Sequence, residues 1–276
     1  MSNSAKNGTM YKLGAIGAGH MGMVIIDCLA RSGFAAPEKI MVHDTNPERT
    51  AAAAQKGYSI AGHEANVYTN CENVLIAVLP QQMQTVLLDL SECKVPNVPV
   101  VMSIVSGISS AYIRKFLGNE TPVVCIVPSI GLSVGMGATA LSRTENVGDG
   151  IFGEIKKTFD MNGETAVVDE PQLKDIIAAN GCAPGYAFYF MEAVALAVAD
   201  RGVDYSLAVK MTAKSFAGAA EMALASGKPL PELLAEVCSP GGLTTQAAKH
   251  FNEENVNRII ADGVNKSIRR GYELAK

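Results

Sequence analysis

Between Tyr11 and about Val168 the chain alternates short β-branched apolar runs with stretches whose apolar residues recur three and four apart. KLGAI, KIMVH, NVLIAV, VPVVMSI and PVVCIV read as strands. HMGMVIIDCLARSG, with Met21, Val24, Ile25, Cys28 and Leu29 on one face, predicts an amphipathic helix. NPERTAAAAQKG predicts another, with Pro47 suited to the first turn and Gly57 to the end. Strands alternating with helices predict a parallel, doubly wound sheet. After DEPQLKD, near residue 170, the strand signal stops, and helices are predicted over 171–200, 205–226, 231–238 and 245–273. These helices are rich in Ala, Leu and Met, with small residues recurring in FAGAAEMALASG. Apolar all round, they need a partner surface, and a homodimer is expected, with a larger ring of dimers left open.

The first of those helices opens on GAIGAGHMG, a G-x-G-x-x-G at Gly17, Gly19 and Gly22 that follows an apolar strand. In that setting Gly17 makes the tight turn, Gly19 lets backbone approach a pyrophosphate, and Gly22 lets helix and strand pack closely. The free N–H groups at the helix start then take the anion. Ala18, His20 and Met21 belong to the same cofactor-binding stretch. Asp44 closes the second strand, where a carboxylate takes both ribose hydroxyls and repels a 2′-phosphate. It therefore favours NADH within an NAD(P)H reading, although Arg49 stands close enough to bind a phosphate and Asp44 can equally begin a turn. Later strand ends face the same cleft, which brings Val78, Leu79 and Pro80, then Val105, Ser106 and Gly107, along the dinucleotide, although Pro80 can equally serve only to end its strand. The fold class expected is α/β: a Rossmann-type dinucleotide-binding domain over 1–168, then an all-α dimerisation and substrate domain over 169–276.

Composition narrows the classes. A length of 276 residues fits two domains, and 48% hydrophobic with 18% charged residues provides cores and no mark of disorder. A formal charge of −4 argues against a basic face for nucleic acid. The six cysteines include no C-x-x-C pair, so free thiols in a reducing, cytoplasmic setting are expected and no metal is assigned. The polar start MSNSAKNGTM carries no secretory pattern and is expected to fray. APGYAFYFMEAVALAV, the longest apolar run, carries Glu192 and is short for a membrane span, so it reads as a buried helix.

A nicotinamide domain joined to a helical one serves a hydroxyacid dehydrogenase or an imine reductase. Ketone reduction needs a proton donor, whereas a protonated imine is already activated. Among the four histidines only His250 lies in the second half, and it, Lys210 and Lys214 fit solvated helix faces, so the imine is favoured. The stretch CSPGGLTT, Cys238 to Thr245, then acquires a purpose. Gly241 and Gly242 expose backbone N–H groups to a carboxylate at a helix start, and the Thr244 hydroxyl reaches a ring nitrogen; the alternative is an N-cap threonine after a glycine turn.

From about Lys12 to Leu274 the chain resembles the pyrroline-5-carboxylate reductase family, most specifically in PELLAEVCSPGGLTTQAA and also in GAIGAGHMG, IAVLPQ, SIVSGIS, VGMGATAL and GCAPGYAF. The resemblance implies a Rossmann domain and a helical domain interlocked between two subunits. It also implies hydride transfer from NAD(P)H to the C=N carbon of a small cyclic imino acid, giving L-proline from 1-pyrroline-5-carboxylate. By the same likeness Thr244 hydrogen-bonds the substrate nitrogen, and the amides of Gly241, Gly242 and Leu243 receive the carboxylate. The chain departs from the family where Leu79 replaces the lysine of A-V-K-P-Q, and where Cys125 to Gly131 replace R-x-M-P-N-T-P. Met136 stands for a glutamate, and Asn180 to Tyr186 replace S-G-S-G-P-A-Y. Asn180 and Cys182 are assigned to the imine or carboxylate pocket, with Ser129 near the nicotinamide. A reductase of another cyclic imino acid and a noncatalytic nucleotide-binding paralogue remain the alternatives.

Overall fold

The computed structural model describes residues 11–274, so the expected fraying of MSNSAKNGTM lies outside the described residues. They form two compact units, one running to Cys182 and resuming at Ile268, the other comprising Ala183–Ser267.

The first unit is built from β1 (Tyr11–Ile16), α1 (His20–Arg31), β2 (Ile40–His43), α2 (Pro47–Gln55), β3 (Ser59–Ile60), α3 (Glu64–Asn70), β4 (Cys71–Ile76), α4 (Met83–Ser91) and β5 (Val100–Ser103). It continues with α5 (Ser110–Leu117), β6 (Val123–Val127), β7 (Gly137–Arg143), α6 (Asp149–Asp160), β8 (Gly163–Val167) and α7 (Leu173–Ile176). The eight strands form one sheet in the order β3-β2-β1-β4-β5-β6-β7-β8. Every pairing is parallel except β6 with β7, which runs antiparallel with Cys125 opposite Ser142. The sheet is therefore mixed where the pattern predicted a parallel one. The short 130–134 turn joins β6 directly to β7, too little chain for a crossover.

Strand residues alternate between two cores. Leu13, Ala15, Leu75, Met102, Val124 and Ile126 belong to one, and Ile16, Val74, Ile76, Val101, Val123 and Cys125 to the other. Both faces are thus covered, as parallel strands with helices on each side require. Local chemistry sets the helix ends. Asn46 accepts the Glu48 N–H at 2.8 Å ahead of Pro47, and the Ser109 hydroxyl accepts the Tyr112 N–H at 3.1 Å to cap α5. On α1 the buried stripe is Gly22, Ile25, Ile26, Cys28 and Leu29, which leaves Met21 and Val24 only partly covered.

The second unit carries α8 (Ala183–Ala199), α9 (Tyr205–Ser226), α10 (Leu230–Val237), α11 (Leu243–Glu253) and most of α12 (Val256–Leu274). Two predicted helices are interrupted. The stretch 171–200 breaks between α7 and α8 at the Asn180–Cys182 turn, and 245–273 breaks at Asn255, whose φ is +54°. Of Ala183–Ser267 only Ala195, Ala208 and Thr212 are buried, while Tyr189, Leu224 and Leu243 stand 76%, 74% and 93% exposed. No described helix is long and apolar enough to cross a membrane.

Candidate functional site

The end of β1 delivers the glycine loop to the carboxyl edge of the sheet. Gly17 adopts φ +98° and donates its N–H to the His43 carbonyl at 2.8 Å, and a Cβ there would lie 2.6 Å from the Ala77 carbonyl oxygen. At Gly22 a Cβ would lie 2.5 Å from the Gly17 oxygen, so α1 meets the loop backbone without an intervening side chain. Gly19 precedes α1 with no side-chain cap, and its Cβ position is free of everything nearer than Arg49 at 3.8 Å. An uncapped helix start beside open space has N–H groups able to take an anion.

Around this loop lies a cavity of about 330 Å³ lined by Gly17, Gly19, His20, Asp44, Val78 and Leu79, together with His43, Arg49, Glu64 and Gln82. The Asp44 carboxylate is almost buried and already engaged. Its Oδ2 accepts the Ala18 N–H at 2.7 Å, its Oδ1 accepts the Asn46 N–H at 2.8 Å, and Arg49 Nη1 stands 3.4 Å from Oδ2. Asp44 therefore pins the glycine loop to the β2–α2 turn while its remaining lone pairs border the cavity. The turn it begins and the cavity it lines are both present.

A second cavity of about 280 Å³ opens at the ends of β5 and β6. It gathers Met21, Val105, Ser106, Gly107 and Cys182 of the sequence-assigned residues. Ser103, Cys125, Pro128, Glu170, Lys174, Ile177 and Gly181, which the sequence reading assigned no role there, also line it. Gly107 has φ +77°, and the loop it belongs to is tied down at Ser110, whose N–H and hydroxyl donate to the two Glu170 carboxylate oxygens at 2.7 and 2.5 Å. The Cys125 thiol is pushed well above the ordinary thiol range, first by burial and then by the Glu170 charge, so it stays a neutral wall of the cavity. The Ser129 hydroxyl accepts the Ala138 N–H at 2.8 Å and is buried.

Asn180 works from behind this wall. Its Nδ2 donates to the Val127 and Ala138 carbonyls at 2.8 and 3.3 Å, and its Oδ1 accepts the Gly181 N–H at 2.6 Å. Both amide hydrogens and the carbonyl are used, which fastens the Gly181–Cys182 turn to β6 and β7. Ala18, Gly22, Pro80 and Asn180 line neither cavity.

In the helical unit the CSPGGLTT stretch forms a tight loop before α11. Gly241 takes φ +70°, a left-handed conformation that favours glycine. Gly242 is crowded by the same loop: a Cβ would lie 3.0 Å from the Ser239 carbonyl oxygen, to which the Gly242 N–H donates at 2.9 Å. Gly242 is the N-cap and no side chain caps the helix, so the first-turn amides of Leu243, Thr244 and Thr245 point forward for an external acceptor. The paired threonines differ. Thr245 donates its hydroxyl to the Ser239 carbonyl at 2.6 Å, closing the loop, whereas Thr244 is exposed. His250, Lys210 and Lys214 are exposed helix residues.

Residues 170–274 match the family model for pyrroline-5-carboxylate reductase dimerisation, and residues 12–107 match that for NADP oxidoreductase, coenzyme F420-dependent. The chain is 28% identical over 266 residues to pyrroline-5-carboxylate reductase of Escherichia coli, covering 96% of this chain and 98% of that protein. It is 26% identical to that of Aquifex aeolicus, covering 95% and 97%. Among solved structures it is similar to a pyrroline-5-carboxylate reductase from Coxiella burnetii, with a TM-score of 0.86, 28% identity and coverage of 97% and 99%. The Plasmodium falciparum pyrroline carboxylate reductase with NADP bound, 20% identical with a TM-score of 0.87 and coverage of 98% and 100%, shares the fold.

Proposed function

We infer that this chain is a member of the pyrroline-5-carboxylate reductase family and reduces 1-pyrroline-5-carboxylate to L-proline with NAD(P)H, on the match of residues 170–274 to that family's dimerisation model and the full-length likeness to the Escherichia coli enzyme. The observation that carries the reading is the uncapped start of α11 beside an exposed threonine. A small cyclic imino acid has one carboxylate and one protonated ring nitrogen. The amides of Leu243 and its neighbours, with Gly241 and Gly242 shaping the loop, suit the first, each charge-assisted bond contributing roughly 1.5–3 kcal/mol. The Thr244 hydroxyl suits the second by accepting the N–H, and is the proposed catalytic group.

When bound, NAD(P)H would supply a hydride for the imine carbon, the C=N electron pair passing to the protonated ring nitrogen. No protein acid is needed for that step, in keeping with the exposed positions of His250, Lys210 and Lys214. The cradle at Gly17, Gly19 and His20 and the rim at Val78 and Leu79, with Ala18, Gly22 and Pro80 beside them in the chain but lining neither cavity, are the proposed dinucleotide contacts. Met21, Val105, Ser106, Gly107 and Cys182 form the second cavity's share. Asn180 acts through Gly181 and Cys182 by holding their turn. We propose NADH as the preferred cofactor, because the Asp44 carboxylate borders the cavity and repels a 2′-phosphate. The unburied apolar helices of Ala183–Ser267 fit a homodimer, able to extend to a ring of dimers, and the free thiols fit the cytoplasm.

The test is oxidation of NADH and of NADPH in the presence of 1-pyrroline-5-carboxylate and of its six-membered homologue. Turnover of the five-membered ring with the lower KM for NADH is expected. Turnover of the six-membered ring alone assigns the chain to another imino acid, and nucleotide binding without turnover of either makes it a noncatalytic paralogue.

A further inference from the structure

Two carboxylates, Asp44 and Glu64, line the cavity beside the glycine loop. Asp44 is the encumbered one. Its side chain is 5% exposed, and of a carboxylate's roughly four lone-pair sites three are taken, by the Ala18 and Asn46 N–H groups and by Arg49. Glu64 is freer, with its side chain 14% exposed. Its Oε2 stands 3.2 Å from His43 Nε2 and 3.6 Å from His63 Nδ1, while Oε1 accepts no hydrogen bond among the described residues. The placement is built into the chain. The Ala61 N–H donates to the Val42 carbonyl at 2.9 Å, and His43 Nδ1 meets the Ala61 carbonyl at 3.1 Å, so the segment before α3 is fastened to the end of β2. His63 then caps α3 by accepting the Ala65 N–H, and Glu64 begins that helix on the cavity wall.

The helix dipole favours an acidic first turn wherever it points; the cavity gives this one a ligand to meet. Arg49 is the one arginine or lysine among the described residues lining the cavity, and it already stands against Asp44. A phosphate entering there faces two carboxylates, whereas a hydroxyl finds an acceptor with open lone pairs. We propose that Glu64 is a selectivity residue for the cofactor, the less encumbered partner of Asp44. Its Oε1 accepts a hydrogen bond from an adenosine ribose hydroxyl of NADH, and its charge opposes the 2′-phosphate of NADPH. The proposal rests on the dinucleotide reading of that cavity.

Calorimetric titration of the full-length chain with NADH and with NADPH reads the two affinities without turnover. Glu64→Gln keeps the size of the side chain and removes its charge. It should weaken NADH and tighten NADPH, so that the ratio of the two affinities falls about tenfold. AMP and adenosine 2′,5′-bisphosphate, which carry the adenosine end alone, should show the same shift. A residue that only starts α3 or steadies His43 would change both affinities in one direction and by one factor. That outcome overturns the proposal, as does an unchanged ratio. Should Glu64→Gln fold poorly, Glu64→Asp decides, because it keeps the charge and draws the carboxylate back by one methylene: NADH should weaken more than NADPH, and equal effects refute the role. A parent chain that binds neither nucleotide overturns the dinucleotide reading and this proposal together, whereas binding with a ratio that ignores Glu64 removes the proposal alone.

Discussion

Thr244→Ala and Thr245→Ala remove the same atoms one residue apart, and the proposed function gives them opposite consequences. The Thr245 hydroxyl donates to the Ser239 carbonyl at 2.6 Å, while Thr244 is exposed on the first turn of α11. Losing the Thr245 bond should cost about 0.5–1.5 kcal/mol of stability, the net value of an intramolecular hydrogen bond. The Ser239 carbonyl keeps the Gly242 N–H, so no buried acceptor is orphaned. Thr244→Ala should leave stability within about 0.5 kcal/mol, since an exposed helical position tolerates alanine. Its effect belongs to the reaction. A hydrogen bond to a charged nitrogen contributes roughly 1.5–3 kcal/mol, and at about 1.4 kcal/mol per factor of ten kcat/KM should fall about 10- to 100-fold. Thr244→Ser retains the hydroxyl and should stay within about threefold of the parent. The assay is NAD(P)H absorbance with 1-pyrroline-5-carboxylate, paired with urea unfolding of each variant. If Thr244→Ala turns over as the parent does, or if Thr245→Ala carries the larger kinetic loss with stability unchanged, the division of labour between the two hydroxyls is wrong.

Asp44→Ala should raise KM for both cofactors, because the Ala18 and Asn46 amides lose their acceptor, and should raise it more for NADH than for NADPH. An unchanged ratio would leave the carboxylate with only its role in the loop. Gly17→Ala places a methyl group 2.6 Å from the Ala77 oxygen at φ +98° and should lower unfolding free energy by more than about 2 kcal/mol, read from urea midpoints. Burial pushes the Cys71 thiol from 9.0 up to about 12. The unfolded thiol therefore loses its proton first, and the stability that is whole below pH 9 should decline toward pH 12, by at most about 1.4 kcal/mol per pH unit. In Cys71→Ala that part of the slope, measured by unfolding between pH 9 and 11, should vanish.

The strands that carry the cofactor loops were legible because each is a short, mostly apolar run set between helix-period stretches, and the glycine spacing is a local property of one loop. The β6–β7 reversal was not, since GATALSR differs from a parallel strand in nothing but its partner. The break at Asn180 escaped helical periodicity because its cause is long-range: an amide bonded to Val127 and Ala138, 53 and 42 residues away. Asn255 offered a signal, as asparagine tolerates positive φ, but nothing in its neighbours marked the end of one helix and the start of the next. The role of Glu170 depends on Ser110, sixty residues earlier. CSPGGLTT was the opposite case, a loop whose chemistry is contiguous, although sequence alone did not tell which threonine closes it.

The three buried side chains of Ala183–Ser267 impose a rule on how this half of the molecule comes to be. A segment that hides so little of its oil by itself cannot complete its folding as a first-order event; the final step must be a collision. Its melting temperature should climb with the logarithm of protein concentration, and a freshly synthesised chain must meet its match before the sticky surface finds something else.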